Sequence, residues 1–331
     1  MPKISIIIPT FNSADTILNC VHSILKSNIS NFELIIVDDK STDNTIKILN
    51  AIKGNKKITI LFHKKNRGAA VTRNDGARIA RGEYLVYFDS DFVVDKNCIA
   101  NLVRPMEKNK KIGMTQGAII DPQTKSVESV GHFLTIFGFP YDLNEDIYTK
   151  SKKPIRILGT RAVFSYRKKL FDIMGGYDED YIFHGEDTDI SWRICLTGYQ
   201  IYFIPDAKAY HYHVKAETKK IGHYAFYEGA KNQISNIIKN APLKYVWFML
   251  PLNICIWLLL SMKLILQGRF SLALWIYKGI LWDIFNIGKT IKKRLQVAGY
   301  TPKNDDTDTI MFGPMTITSF LKKGSRWFLN V

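Results

Sequence analysis

Asp89 and Asp91 are two carboxylates, one residue apart, whose type and spacing could bind a metal ion. They directly follow a largely apolar segment, EYLVYF, whose composition is typical of a buried strand. A second acidic pair, Asp38 and Asp39, ends the apolar segment FELIIV. Carboxylates hold divalent cations, and such a cation offsets the negative charge that builds on a departing diphosphate. An isolated DxD sequence is a weak signal, but two acidic pairs at neighbouring strand ends favour a metal-assisted site.

The elements that must position these pairs alternate along the N-terminal part of the chain. Apolar runs are separated by segments with helical spacing, which predicts a parallel sheet with helices on both faces. Ligands of such sheets bind beyond the carboxyl ends of the strands, so the polar segment 9–12 is expected beside both acidic pairs. The predicted strands are 3–8, 32–39, 56–63 and 83–89, and the predicted helices are 13–26, 45–53 and 69–80.

Beyond residue 110 the pattern is less regular. The segment 130–154 has no clear periodicity and is predicted to be rich in loops. Asn240-Ala241-Pro242 marks the best boundary, which divides the chain into a catalytic domain at 1–240 and a helical, basic region at 241–331. Further strands are predicted near 112–119, 155–164 and 199–204, and further helices near 168–174 and 187–197.

Several of these segments resemble the glycosyltransferase family 2 pattern of the GT-A fold. The motifs are PTFN at 9–12, VDD at 37–39 and NRGAAVTRNDGARIARGEYLVYFDSD at 66–91. The segment 175–213, which contains HGEDTDISWR, resembles the second half of the family, in its rhamnosyltransferase-like branch. The resemblance covers roughly residues 3–240. It implies an α/β protein with a GT-A fold, in which helices flank a mostly parallel central sheet.

The resemblance also implies an inverting, metal-dependent transfer of a sugar from a nucleotide-diphosphate sugar. Asp39 would accept hydrogen bonds from the base or ribose, and Arg73 would face the diphosphate with its planar guanidinium. Asp89 would contact the ribose and a Mn2+ or Mg2+ ion, and Asp91 would be the main metal ligand. The predicted donor-binding residues are Pro9, Thr10, Asn12, Asp38, Asp39, Arg67, Gly68, Arg73 and Asp89.

A histidine is the predicted third metal ligand, because some members of family 2 complete the metal sphere just after the last core strand. His211 and His213 stand there, and alternate residues of a strand share a face, so both could point inward. The spacing from Glu186 and Asp187 favours His211. Imidazole binds Mn2+ more readily than Mg2+. The alternative is an ordinary surface or core histidine.

Glu186 and Asp187 are the predicted catalytic residues. An inverting transfer is a single displacement in which a base takes the proton of the attacking hydroxyl. The family assigns this role to Asp187, and Glu186 could hold the acceptor. The pair precedes a helix whose dipole favours ionised carboxylates, although capping is the alternative and is our interpretation of Asp189. Trp192 and Arg193 are predicted on the acceptor side, with core packing favoured for Trp192.

The C-terminal region combines apolar segments with a basic cluster. Residues 245–262 contain no charge, and as a helix they would extend about 27 Å, just short of the roughly 30 Å hydrocarbon core. The segment 270–288 is more amphipathic, and the basic cluster follows at 289–294. Core helices and a transmembrane hairpin are alternatives, but we favour interfacial or re-entrant attachment at the cytoplasmic face of the cell membrane. The expected membrane contacts are Trp247, Trp257, Trp275 and Trp282.

The net charge, the motifs and the cysteines indicate which binding partners and which cellular compartment are expected. The net charge of +16 suits an anionic membrane surface, so the expected acceptor is a lipid-linked or other saccharide. A polyprenyl-phosphate sugar synthase is the alternative within catalysis. A basic nucleic-acid-binding protein is a remote alternative, because carboxylates at the strand ends would repel a phosphate backbone. Scattered cysteines and an N-terminus without a long apolar stretch predict a reducing cytoplasmic compartment.

Overall fold

The computed structural model describes residues 1–143, 145–212 and 218–299. This part of the chain divides into two compact units. The domain boundary predicted at residue 240 remains a prediction. The first unit comprises residues 1–132, 142–195 and 199–212, and the second comprises 133–141, 196–198 and 218–299.

Strands and helices alternate through the first part of the chain, and helices alone follow the last strand. The strands are β1 (Ile4–Thr10), β2 (Phe32–Asp38), β3 (Ile58–Phe62), β4 (Tyr84–Tyr87), β5 (Phe92–Val94), β6 (Ile112–Ile120), β7 (Val127–Ser129), β8 (His132–Leu134), β9 (Pro140–Asp142), β10 (Ile155–Ile157), β11 (Phe164–Arg167) and β12 (Gln200–His211). The helices are α1 (Ile17–Leu25), α2 (Thr45–Ile52), α3 (Ala69–Ile79), α4 (Cys98–Lys108), α5 (Glu145–Lys150), α6 (Lys168–Ile173), α7 (Glu186–Leu196), α8 (Thr218–Asn240), α9 (Leu243–Leu266), α10 (Phe270–Phe285) and α11 (Ile287–Ala298).

The first unit is built on one large sheet in the order β10-β12-β6-β11-β4-β1-β2-β3, with β5 paired to β12 and β7 paired to β6. The half that contains β1 to β4 is parallel, as predicted, because a helix returns the chain between successive strands. In the other half β11 runs antiparallel to β4 and β6, and both β5 and β10 run antiparallel to β12. In this half β6 and β12 are parallel to each other and β7 is antiparallel to β6, so the sheet as a whole is mixed.

Apolar strands buried on both faces hold this sheet between its helices. Ile6 and Ile8 of β1 and Leu34 and Ile36 of β2 are completely buried in one core cluster. Helix α1 places an apolar stripe against the same cluster, with Ile17, Cys20, Val21 and Ile24 buried at helical spacing. Each fully buried aliphatic side chain of this kind contributes about 1.5–3 kcal/mol, so the strand ends are held rigidly.

Strand β12 is longer than predicted, and the extra length carries a site residue. The predicted strand stops near residue 204, because Pro205 and Asp206 are typical of a turn. In the structure the pairing of β12 with β6 is interrupted there and resumes at Lys208, so the strand continues to His211. The single strand predicted at 155–164 is also two strands, β10 and β11, on opposite sides of β12 and β6.

The second unit is mainly helical, and its segment 133–141 contributes to the small sheet of β8 and β9. Gly279 lets α10 approach α8, since a Cβ at this position would lie 2.6 Å from the carbonyl oxygen of Tyr227. Among the described residues α9 is long and apolar enough to cross a membrane, whereas α10 and α11 pass the same test only as a pair bent by 65°. The apolar core of this unit contains Ala230, Trp257, Leu260, Leu264, Ala273 and Ile276.

Candidate active site

The carboxyl ends of β1, β2 and β4 meet at one edge of the sheet, as expected for parallel strands. Thr10 is in register with Asp38, and the N–H of Asp39 donates to the carbonyl of Thr10 at 2.9 Å. The buried hydroxyl of Thr10 has no hydrogen-bond partner within the described chain. Asp89 follows β4, and its side chain is 38% exposed. This edge therefore presents unused hydrogen-bonding groups to a ligand.

Arg73 of α3 brings three carboxylates together. Its side chain is buried, and Nη2 donates to Asp89 Oδ1 at 3.1 Å. Its Nη1 donates to Glu186 Oε1 at 2.8 Å and lies 3.6 Å from Asp187 Oδ1. The ion cluster thus fixes the start of α7 beside the end of β4, although the two segments are far apart in sequence. Arg73 was predicted to face the diphosphate, but in the structure its terminal nitrogens are directed at carboxylates.

Asp187 has the properties of a proton acceptor. Its Oδ1 is buried and has no hydrogen-bond partner within the described residues. Burial raises the pKa of Asp187 to about 7; Arg73 opposes this rise, and Glu186 adds to it. The helix N-terminus was expected to keep this carboxyl ionised, but the effect of burial is larger. A group with a pKa near neutrality is well matched to general base catalysis.

Backbone pairing places His211 beside Asp91. In the ladder between β5 and β12 His211 is opposite Phe92, and the N–H of Tyr212 donates to the carbonyl of Asp91 at 2.9 Å. The His211 ring stacks on the Phe92 ring with centroids 4.7 Å apart, and its Nε2 lies 3.2 Å from Asp91 Oδ2. The two predicted metal ligands are therefore neighbours. His213, the other predicted candidate, lies outside the described residues.

Glu128 of β7 also contacts His211, and no motif in the sequence predicted this contact. Its Oε2 lies 2.8 Å from Nδ1 of His211. Burial lowers the pKa of His211, but the hydrogen bonds to Asp91 and Glu128 outweigh this effect and raise the pKa to about 9. Glu128 belongs to a three-residue strand without a motif, and only the alternation in VES could have pointed to it.

The residues near Asp91 fit a divalent cation in part. Oδ1 of Asp91 is buried and lacks a hydrogen-bond partner in the described chain, and His211 offers an imidazole nitrogen close by. This donor set suits Mn2+. In residues 1–143, 145–212 and 218–299 no group of three or more His, Cys, Asp or Glu side chains is arranged to hold an ion. Asp89, predicted as a further ligand, accepts a hydrogen bond from Arg73 through Oδ1, and its role at the metal remains a prediction.

Asp39 anchors the loop that leads into α3. Its Oδ1 accepts the N–H of Arg67 at 2.8 Å, and its Oδ2 accepts the N–H of Gly68 at 2.8 Å. Nδ1 of His63, a residue that the sequence did not single out, lies 2.7 Å from Oδ1. Gly68 has a φ of 84°, and a Cβ there would lie 2.8 Å from the carbonyl oxygen of Ile182, so glycine is required. The predicted donor residues Asp39, Arg67 and Gly68 therefore form one connected loop.

Three predicted donor-site residues need separate description. Asp38 is completely buried and accepts the N–H of Ser41 at 3.1 Å, and donor binding by Asp38 remains a prediction. Asn12, which follows β1, is exposed, and its Oδ1 accepts the N–H of Thr42 at 2.8 Å. Pro9 lies within β1 and offers only its backbone. Donor binding by Asn12 and Pro9 remains a prediction.

Trp192 and Arg193 lie in the core, which is the packing that the sequence favoured for Trp192, and their place on the acceptor side remains a prediction. Trp192 is 1% exposed. Arg193 is buried, pairs with Asp189 Oδ2 at 2.8 Å, and donates to the carbonyls of Met174 at 2.8 Å and Gly176 at 2.7 Å. Asp189 was expected to cap the helix, but it is the partner of this arginine. The guanidinium of Arg193 is thus committed to partners within the core, whereas the buried Nε1 of Trp192 has no hydrogen-bond partner among the described residues.

Comparison with known proteins identifies the family of the chain. Residues 5–173 match the model of Glycosyl transferase family 2, which is just over half of the chain. The poly-beta-1,6-N-acetyl-D-glucosamine synthase of Staphylococcus epidermidis is 28% identical over 207 residues, which are 62% of this chain and 48% of that protein. The chain thus spans about half the length of this curated relative, and less of some others.

Solved structures show the fold. S. aureus TarS 1–349 in complex with UDP-GlcNAc aligns with a TM-score of 0.57 and 19% identity, over 90% of this chain and 91% of that one. The mannosyltransferase PcManGT from Pyrobaculum calidifontis, in complex with GDP-Man and Mn2+, aligns with a TM-score of 0.53 and 17% identity, over 90% and 86% of the two chains. The rhamnosyltransferase-like branch remains a prediction. The predicted family and GT-A fold are confirmed, and the chain belongs to glycosyl transferase family 2.

Proposed function

We propose that this chain is an inverting glycosyltransferase that moves a sugar from a nucleotide-diphosphate sugar to a saccharide hydroxyl, with Asp187 as the general base. The observation that carries the proposal is the convergence of Asp89, Glu186 and Asp187 on Arg73. This cluster joins the end of β4, where the donor is expected, to the start of α7, where the base is expected. A family 2 fold with these carboxylates in place supports transfer chemistry.

In the proposed reaction the acceptor oxygen bonds to the anomeric carbon while the bond from that carbon to the diphosphate oxygen breaks. Asp187 takes the hydroxyl proton from the acceptor, for which its pKa of about 7 is suitable. Glu186 is bound to Arg73 through Oε1, and its buried Oε2 has no hydrogen-bond partner in the described residues. We assign this oxygen to the acceptor, which it would orient for attack.

Asp91 and His211 would hold the divalent cation, with Asp89 close by. When bound, Mn2+ or Mg2+ supplies positive charge to the departing diphosphate. The unpartnered Oδ1 of Asp91 and the nearby Nε2 of His211 support this assignment. The buried hydroxyl of Thr10 and the loop that Asp39 anchors would contact the rest of the donor.

The second unit is proposed to attach the enzyme to the cytoplasmic face of the membrane. Its helices expose large apolar side chains, among them Trp247 at 74%, Leu266 at 84% and Phe285 at 81%. Helix α11 adds the basic cluster 289–294, which suits anionic lipid. Trp257 was expected to contact the membrane, but it is 3% exposed and belongs to the core. A membrane surface would bring a lipid-linked acceptor to the site.

A thermal-shift panel tests the donor, because a bound ligand stabilises the folded state by mass action. UDP-GlcNAc and GDP-mannose come first, since two structural neighbours were solved with these molecules. We expect one nucleotide sugar to raise the melting temperature more with Mn2+ than without it. If no nucleotide sugar shifts the melting temperature at any Mn2+ concentration, the proposed donor site is wrong.

Transfer assays then identify the acceptor. The shifted donor is supplied with a lipid-linked saccharide in one arm and with polyprenyl phosphate in the other. We expect transfer to the saccharide only, whereas transfer to the phosphate would show that the chain is a polyprenyl-phosphate sugar synthase. Flotation of the full chain with anionic vesicles tests attachment. If the protein stays in the dense fraction without vesicles at both low and high salt, the membrane proposal is contradicted.

A further inference from the structure

His211 lies between two carboxylates, and only one of them belongs to the proposed metal site. Asp91 Oδ2 is 3.2 Å from Nε2, and Glu128 Oε2 is 2.8 Å from Nδ1. The two ring nitrogens point away from each other, so a cation beside Asp91 reaches Nε2 and not Nδ1. Glu128 is thus on the side of the imidazole opposite the proposed metal.

We infer that Glu128 is a positioning residue that makes His211 a competent metal ligand. As a carboxylate it accepts the Nδ1–H hydrogen, which fixes the ring in the tautomer whose Nε2 carries the lone pair. A cation beside Asp91 would take the place of the Nε2 hydrogen that Asp91 otherwise accepts, so this lone pair would be directed at the cation. The inference rests on the proposed metal-dependent transfer and adds a residue that acts through the ligand.

The surrounding strands hold both partners in this arrangement. Glu128 is the central residue of β7, between the buried residues Val127 and Ser129. Its side chain therefore points to the face of the strand opposite to theirs. Strand β7 pairs with β6, and β6 pairs with β12, which ends at His211. The stacked Phe92 ring lies parallel to the imidazole, with an interplanar angle of 2°. Rotation of the ring is therefore opposed by stacking and by hydrogen bonding together.

Loss of the carboxylate should weaken metal binding without removing a ligand. Partners of metal-bound histidines typically contribute about 10- to 100-fold to metal affinity, because they fix the tautomer and raise the basicity of the ligand nitrogen. We expect a loss of this size for Glu128→Ala and a smaller one for Glu128→Gln, which keeps an acceptor oxygen of the same reach. Neither change touches Asp91.

The test is a titration of the full chain with Mn2+ in the presence of UDP, with free Mn2+ measured by electron paramagnetic resonance. The variants are Glu128→Ala, Glu128→Gln, His211→Ala and the double variant of Glu128→Ala with His211→Ala. Glu107→Gln is the matched control, since Glu107 is on α4 and pairs with Lys3 at 2.6 Å. Circular dichroism and metal-free UDP binding confirm that each variant is folded.

We expect Glu128→Ala to raise the Kd for Mn2+ about 10- to 100-fold in the parent chain and to have almost no effect when His211 is already alanine. Glu107→Gln should bind Mn2+ like the parent. An unchanged Kd in both Glu128 variants, or an equal loss with and without His211, overturns the role of Glu128 and leaves the proposed reaction standing. If the parent chain binds no Mn2+, the metal-dependent reaction falls together with the inference.

Discussion

Two buried arginines form ion pairs with residues of helix α7, and the two pairings differ. One arginine, Arg73, belongs to α3, and the other, Arg193, belongs to α7 itself. Arg73 reaches the start of the helix from α3 and meets the carboxylates of Asp89, Glu186 and Asp187. Arg193 lies two turns further along and meets a single carboxylate, that of Asp189. The first cluster has more anions than cations, whereas the second is a matched pair.

The difference in charge balance distinguishes the cluster around Arg73, which we assign to function, from the ion pair of Arg193, which we assign to the stability of the core. Around Arg193 the remaining N–H groups donate to the carbonyls of Met174 and Gly176, so the cluster is closed. Around Arg73, Oε2 of Glu186 and Oδ1 of Asp187 are buried without hydrogen-bond partners among the described residues. Such unmatched groups cost free energy of folding, so their presence points to a ligand or a proton that completes them.

The largest effect on stability is expected from Arg193→Met. Removal of the guanidinium takes the buried carboxylate of Asp189 out of its ion pair with Arg193, which costs about 3–5 kcal/mol. Urea denaturation measures the loss, and turnover per folded molecule should stay close to that of the parent. The combined change of Asp189→Leu with Arg193→Met should recover much of the stability. A loss of donor affinity greater than the loss of folded protein would show that Arg193 does belong to the binding site.

The pH dependence sharpens the comparison, because the Arg73 cluster contains Asp187, whose pKa burial raises to about 7. We expect kcat/KM to fall about tenfold per pH unit below this value, as Asp187 becomes protonated. Stability has the opposite sign. Since burial raises the pKa of Asp187 above its ordinary value, the stability gained from the neutral form is full in acid and is lost as pH rises through about 7.

Turnover and urea midpoints at pH 5.5 and pH 8 check both halves of this prediction. Asp187→Asn is the control, because it cannot ionise and should remove its share of each pH dependence. Activity that does not change between these pH values in the parent chain would rule out a titrating base at Asp187.

A smaller effect is expected from Glu186→Gln. This change keeps the side-chain size and weakens the ion pair with Arg73, and it replaces the oxygen assigned to the acceptor. A lost hydrogen bond to a charged group is worth about 1.5–3 kcal/mol, so KM for the acceptor should rise roughly tenfold or more while donor affinity is retained. Steady-state kinetics with each substrate varied separately measure the split. An increase in the donor KM alone would place Glu186 on the donor side.

The smallest effect is expected from Trp192→Phe. Trp192 is 1% exposed and lies between the two clusters on α7, where it fills the core. Replacement by a smaller aromatic should cost about 1 kcal/mol of stability and leave acceptor KM unchanged. A clear change in acceptor KM at constant stability would support the acceptor-side role that the sequence suggested.

The sequence indicated candidate site residues better than the contacts between them. Asp91 and His211 were predicted from the resemblance to family 2 to share a metal ion, and the ladder between β5 and β12 brings them together. The partners of Arg73 could not be predicted, because Glu186 lies 113 positions away along the chain and no local pattern encodes that contact. Glu128 was missed for the same reason.

The segment EDTDISWR shows where prediction from sequence stops. All four charged residues of this segment would be expected on a polar surface from their type alone. Residue type therefore does not distinguish Glu186 and Asp187, which face the candidate site, from Asp189 and Arg193, which face the core. Helical spacing separates the two sets only when the orientation of α7 is known. In the fold, the parallel half of the sheet followed from alternating strands and helices, whereas the antiparallel insertion of β11 depends on long-range pairing with β4 and β6.

The central claim is tested most directly by Asp187→Asn beside Asp189→Asn, the matched change on the other face of the same helix. Donor affinity is measured by titration with the nucleotide sugar, and turnover is measured per folded molecule. We predict that Asp187→Asn keeps donor affinity within about threefold and lowers kcat about 100- to 10,000-fold, while Asp189→Asn lowers stability and keeps kcat. Unchanged turnover in Asp187→Asn with donor binding intact would contradict the assignment of Asp187 as the base.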